Sequence, residues 1–159
     1  MKFEMRRAKQ RLPLDESLEI LKKGSSGVLA LWDGEEPYAV PLSYVYHEGK
    51  LYFHCARAGR KLEAAGVCPR ASFCVVAADN VIPEKYTTAY RSVIVSGPLR
   101  IIRDEAEMLP ALRYLAEKYN PGHGEDTERE ISAGLSHMFM LELRADEISG
   151  KQGKELLNP

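Results

Sequence analysis

The chain has 159 residues, 45% hydrophobic and 28% charged, with 22 basic against 23 acidic side chains and a formal charge of −1. This is enough chain for one domain with a real core; the balanced charge excludes nucleic-acid binding by bulk electrostatics, and no apolar run approaches the roughly 20 residues needed to span a bilayer. The start of the chain has no apolar signal-like segment, and Cys55, Cys68 and Cys74 are odd in number with no C-x-x-C spacing, which fits a reduced cytoplasmic protein better than a disulfide scaffold.

Arg6, Arg7, Lys9 and Arg11 cluster in an N-terminal arm, residues 1–14, which reads as a solvated segment. Asp15 to Lys23 reads as a short helix, with Leu18, Ile20 and Leu21 on its apolar side and lysines at its end. Gly27 to Trp32 is a continuous apolar run, the pattern of a strand covered on both faces. After a turn at Asp33 to Pro37, Tyr38 to Tyr46 and Leu51 to Ala56 form two strand candidates around Glu48-Gly49, a two-residue turn in which Gly supplies a positive φ.

That turn sets a register. His47 falls opposite Lys50, Tyr46 opposite Leu51, Tyr44 opposite Phe53, Ser43 opposite His54, Leu42 opposite Cys55 and Pro41 opposite Ala56. One face then carries Val40, Leu42, Tyr44, Phe53 and Cys55, which is core material. The other carries Ala39, Pro41, Ser43, His54 and Ala56, a small polar surface on which a flat ligand could lie or which simply meets solvent.

A helix follows from Arg60 to near Gly66, then a strand over Ala71 to Ala78 and a loop over Asp79 to Lys85. Thr87 to Gly97 holds one or two strands, with Gly97-Pro98 as a break or bulge before Leu99 to Ile102. Asp104 to Tyr119 is a helix capped by Asp104, with Met108, Leu112, Leu115 and Tyr119 on one stripe. Pro110 is awkward for that start because it deletes a backbone donor, so a later beginning of the regular helix stays open. Asp126 to Leu135 is a second helix, His137 to Arg144 a final strand, and residues 150–159 a loose polar tail. Six or seven strands in consecutive runs, without βαβ alternation, predict a mainly β domain: an antiparallel sheet closed into a barrel with helices packed outside.

Several chemistries fall away. The four histidines share no metal-ligand spacing with each other or with cysteine. Ser43 and His54 lack a nucleophile elbow and an orienting acid, the acidic residues form no glycosidase-like pair, and no G-x-G-x-x-G or P-loop is present. What remains is an anion site: the helix after Gly59 offers backbone N–H groups, Arg60 a bidentate grip and Lys61 a point charge.

The runs Pro37 to Tyr44, Leu51 to Ala56 and Gly59-Arg60-Lys61, with Met5-Arg6-Arg7, Pro83 to Thr88 and Tyr90 to Val93, resemble the FMN-binding split-barrel proteins. Within them the chain looks most like the nitroimidazole-resistance (Nim-type) branch, related to pyridoxamine 5′-phosphate oxidase, over roughly Met5 to Tyr119. The resemblance implies a single domain, 1–159, built as a six-stranded antiparallel split barrel that forms a homodimer with FMN at the subunit interface. It implies that Pro41, Leu42, Ser43 and Tyr44 line the isoalloxazine, with His54, Cys55 and Ala56 beside them. Lys61 would hold the phosphate, while Arg91 and Ser92 would reach the partner's flavin. Relatives often carry histidine where this chain has Arg60, so a role needing a titrating imidazole is not available there.

The function that follows is an FMN-dependent oxidoreductase taking electrons from NAD(P)H and passing them to a small organic acceptor such as a nitroaromatic. His54 is placed to donate a proton or hydrogen bond to that acceptor. The alternative is a carrier or sensor that binds flavin or haem without turnover. A pyridoxamine-phosphate oxidase proper ranks lower, since no second basic cluster suits a second phosphate.

Overall fold

The computed structural model describes residues 4–157, which form eight strands and four α-helices. The first three residues of the arm and the last two of the tail lie outside the described residues. In chain order the elements are α1 (Leu14–Lys23), β1 (Ser26–Trp32), β2 (Pro37–Ser43), β3 (Val45–His47), β4 (Lys50–Ala56) and α2 (Arg60–Val67). There follow β5 (Arg70–Ile82), β6 (Thr87–Ile102), α3 (Glu105–Tyr119), α4 (Gly124–Gly134), β7 (Met138–Arg144) and β8 (Glu147–Gln152).

All strand pairings are antiparallel, in the order β2-β1-β5-β6-β7-β4-β3, with β8 added on β6. The two end strands, β2 and β3, are separated in the chain by Tyr44 alone. A seven-strand path whose ends are joined by one residue has to roll back on itself, yet no ladder pairs β2 with β3 or β4. The six-stranded barrel expected from the sequence is thus corrected to eight strands in a rolled sheet whose ladder does not close. β6 holds the two halves together: Thr87–Pro98 pairs with β5, and Leu99–Ile102 turns onto β7.

The β3–β4 turn forms as the sequence requires. Glu48 and Gly49 have φ of 45° and 78°, a pair of left-handed residues, and Val45, Tyr46 and His47 face Tyr52, Leu51 and Lys50. Beyond Val45 the expected register fails. β2 leaves the hairpin for β1, setting Ser43 against Ser26 and Pro41 against Val28, while His54 and Ala56 pair with Met140 and Met138 of β7. Ser43 and His54 are therefore not cross-strand partners. The cause lies at Tyr44, where helix α3 supplies the hydrogen bonds that a ladder would have made. The Tyr119 hydroxyl accepts the Tyr44 N–H (3.0 Å) and lies against the Tyr44 and Ser25 carbonyls, and Lys118 Nζ donates to the Tyr44 and Gly24 carbonyls (3.0 and 2.6 Å). With its backbone satisfied this way, the chain bends from one sheet into the other without an orphaned polar group.

Two apolar layers result. Leu29, Phe73, Val93, Val95, Phe53, Leu141 and Leu143 fill the interior of the rolled sheet, with the Phe73 ring between Tyr44 (4.8 Å) and Phe53 (4.9 Å). Tyr52, Ile102 and Met140, on the outer face of the second sheet, pack under Met108, Leu112 and Leu115 of α3 and Ile131 of α4. Asp104 caps α3 by accepting the Glu107 N–H (3.0 Å), and Pro110 sits inside the helix, which starts at Glu105 all the same. β5 runs on to Ile82 through a register shift at Val76/Ala78, and the break expected at Gly97-Pro98 is where β6 leaves β5 for β7. Gly150 to Gln152, read as loose tail, belong to β8 and pair with Arg91 to Val93.

Lys118 sits 4.0 Å from the centre of the Tyr44 ring, and burial pulls its pKa from 10.5 down to about 8. Between these values the unfolded chain holds a proton that the folded one has lost, so this lysine makes stability rise with pH across that window and fall as pH drops through about 8. Chemical denaturation of Lys118→Met at pH 7.5 to 10 is expected to show a flatter pH dependence than the parent; equal slopes would remove Lys118 from the titration.

Candidate functional site

Where β2 and β4 part, each becomes an edge strand. From Pro37 to Ser43, β2 has only β1 as a neighbour, and from Phe53 to Ala56, β4 has only β7. Two runs that the sequence pairs face to face thus form the two lips of a split. Edge strands in such a position carry unpaired backbone N–H and C=O groups. Pro41, with no N–H, suits an edge.

The side chains divide by burial. Pro41, Ser43, His54 and Ala56 are exposed, Leu42 is half-buried, and Tyr44 and Cys55 are buried at 0% and 3% exposure. The Tyr44 hydroxyl is committed to the Leu21 carbonyl (2.6 Å). Cys55 can therefore offer a ligand only backbone atoms, and Tyr44, whose N–H and C=O are already held by Tyr119 and Lys118, has no polar group left for the isoalloxazine contact that the resemblance implies. Burial raises the Cys55 thiol pKa, a change opposed by the charge of Lys61, by a backbone bond to Phe139 and by Arg103.

Beyond β4, the Gly59 carbonyl accepts the Leu62 and Glu63 amides (2.9 and 3.2 Å), leaving the Arg60 and Lys61 amides ahead of the first intrahelical bond. The two cations differ sharply. Arg60 is engaged by Asp33 (2.7 and 3.0 Å) and Glu36 and lies over the Tyr38 ring at 4.6 Å. The Glu36 and Glu35 amides, and then Arg60, hold the Asp33 carboxyl down at about 2. Lys61 forms no ion pair among the described residues and acts on His54 instead. Partial burial of that imidazole lowers its pKa below 6.5, and the Lys61 charge lowers it further. Arg57 and Arg103 complete a basic rim, 4.9 and 5.5 Å from the Phe139 ring. The sequence reading overlooked both arginines, which reach this rim from α2's approach and from the end of β6.

His54 is accordingly neutral at pH 7. A histidine NMR titration is expected to place it below the ordinary imidazole value of 6.5, and Lys61→Met is expected to move it upward. An unshifted His54 in that variant would disconnect the two residues.

Arg91 and Ser92 lie elsewhere on β6. Arg91 donates to Gln152 Oε1 (2.8 and 3.2 Å), pairs with Glu16 at 3.0 Å and lines a cleft of about 650 Å³ with Ser26 and Val76. Ser92 shares the outer face of the first sheet with Val76 and Lys151. Aligned with it on that face run Pro41, Val28, Cys74, Ile94 and Ser149, and Val28, Ile94 and Val76 are 41%, 47% and 60% exposed. The structure therefore joins Pro41, Ser43 and Ser92 on one sheet face and gathers His54, Ala56 and Lys61 at the far lip. Among the described residues no cluster of metal-ligating side chains occurs, and no helix is long and apolar enough to cross a membrane.

The chain matches a known family. The pyridoxamine 5′-phosphate oxidase family model fits residues 13–152, and the chain belongs to that family. No curated protein matches by sequence. Among solved structures, the chain is similar to the flavocytochrome Anf3 of Azotobacter vinelandii (19% identity, 96% of this chain and 72% of that one, TM-score 0.81). It is similar also to an FAD and heme binding protein of Mycobacterium smegmatis (22%, 92% and 74%, 0.76). A third is a candidate 5-nitroimidazole antibiotic resistance protein of Bacteroides thetaiotaomicron (17%, 89% and 86%, 0.72). At these identities the likeness is one of fold.

Proposed function

We propose that the chain is an FMN-dependent oxidoreductase that acts as a homodimer in a reducing compartment such as the cytoplasm. It would take electrons from NAD(P)H and deliver them to a small organic acceptor such as a nitroaromatic. The observation that carries the reading is the split: two uncovered strand edges, Pro41–Ser43 and His54–Ala56, with an uncommitted Lys61 at the start of the following helix. Membership of a family whose structural neighbours are named for flavin supports it.

The residues present fit such a cofactor. A flat ring needs in-plane donors and acceptors, which edge backbone provides, and a slot without bulky side chains, which Pro41, Ser43 and Ala56 leave. A phosphate needs a cation and free amides, which Lys61 and the head of α2 provide. Bound flavin would supply the electron transfer. His54, neutral at pH 7, would hold its N–H toward an acceptor as a hydrogen-bond donor, a role that needs no titration near neutrality. The apolar outer face carrying Val28, Ile94 and Val76 would be covered by the second subunit, and Arg91 and Ser92 would reach the partner's cofactor from there.

The test is the visible spectrum of the purified protein, chromatography of the released flavin, and anaerobic mixing with NADH or NADPH. The expected result is about one FMN per chain, bleached by one of the donors. Protein that stays colourless after incubation with FMN and FAD would end the proposal. A carrier or sensor is the second reading, favoured by the neighbours named flavocytochrome and FAD and heme binding protein; tight flavin binding with negligible reduction would select it.

A further inference from the structure

The N-terminal arm reads in the sequence as a solvated basic segment, but the fold gives it a wall to work against. A short 3-10 turn, Ala8–Gln10, and a bridge from Arg11 to Lys151 hold the arm across β8. Between this arm, the start of β6 and the chain after β8 lies a cleft of about 680 Å³, within the range of small-molecule sites. Arg6, Arg7, Lys9 and Lys154 line it, and none of the four forms an ion pair among the described residues. The one carboxylate in the lining, Glu155, is held by the Thr87 hydroxyl at 2.9 Å.

Gln10 closes the wall of the cleft. It is buried to 7% exposure, it lines the same cleft, and its side-chain carbonyl is the one buried side-chain oxygen or nitrogen without a hydrogen-bond partner among the described residues. That oxygen is enclosed by the protein, so a ligand in the cleft does not reach it, and Gln10 contributes to the wall by packing. Tyr90 adds an aromatic ring to the wall, with Lys151 Nζ 5.6 Å from its centre. A concentration of cations calls for phosphate, and a tyrosine for a flat ring.

We propose that this cleft is a second ligand site, separate from the split between β2 and β4, that takes a nucleotide: phosphates on Arg6, Arg7, Lys9 and Lys154, and the base against the Tyr90 ring. The proposal does not rest on the flavin reading, since none of these residues lies on the split.

The experiment is calorimetric titration of ADP, and of inorganic pyrophosphate, into the full chain saturated with FMN; should the chain take no flavin, the same titrations apply to it as purified. One saturable ADP site per chain is expected. The double change Arg7→Ala with Lys154→Ala should weaken both ligands at least tenfold. Tyr90→Leu should weaken ADP about fivefold while leaving pyrophosphate unchanged. Flavin content should be the same in every variant. Absence of saturable ADP binding, ADP affinity indifferent to the charge changes, or ADP and FMN displacing each other would each overturn the proposal, and equal loss of ADP and pyrophosphate in Tyr90→Leu would overturn the base contact.

Discussion

Lys61→Ala is expected to weaken flavin binding by about 10- to 100-fold, the loss of one charge-assisted contact to phosphate worth about 1.5–3 kcal/mol. Arg60→Ala, one residue away, is expected to stay within about threefold of the parent. The contrast follows from the geometry, because the Arg60 guanidinium is shared between Asp33 and Glu36 and would have to leave both to meet a phosphate. A carboxyl held at about 2 keeps its charge at any working pH, so that competition does not relax. The pair is largely exposed and adds little to stability, so Arg60→Ala should fold normally. Fluorescence titration of FMN into the two variants, at matched salt, measures the difference. Equal losses in both would return Arg60 to the site; no loss in either would remove the phosphate from the start of α2.

The second large effect is on folding. Gly97 lies where β6 passes from one sheet to the other, and a methyl group built on it would overlap the carbonyl oxygen of Arg144 at the end of β7. The obstacle is backbone, which a rotamer change cannot clear. Gly97→Ala is expected to cost ~3 kcal/mol or more, lowering the melting temperature by about 6–12 °C in a chain of this size. Gly66, inside α2, is the control: open space surrounds it, and alanine there should stabilise by about 0.5–1 kcal/mol. Thermal unfolding of both variants reads opposite signs if the crossing is the constraint, and a neutral Gly97→Ala would show that β7 can give way.

Much of the architecture is legible in local pattern. Alternation marks β4 and β7, the Glu48-Gly49 pair marks a turn, and Asp104 marks a helix start. The core set Tyr44, Phe53 and Cys55 follows from period two alone. What fails is the extrapolation of one hairpin register across Tyr44. Nothing in Tyr38 to Tyr46 announces a change of partner, because the groups that permit it, Lys118 and Tyr119, stand 74 and 75 residues away. A shorter separation, 27 and 24 residues, hides the difference between Arg60 and Lys61, since Asp33 and Glu36 come from the β1–β2 turn. Residues in the split were legible through motif resemblance. Arg57, Arg103 and the role of the basic arm were not, since each depends on which elements meet in space.

The shared strand also bears on how such a chain can vary. Loops tolerate inserted or deleted residues at little cost. β6 does not, because its first part presents Val93 and Val95 to the interior while Leu99 continues the same inward set in the second sheet. One residue gained or lost between Val95 and Leu99 would reverse every side chain on one half relative to the other and turn Leu99 outward. The length of this segment is thus a fixed measure within the molecule, and descendants that change size must do so at the hairpin ends, never along this beam.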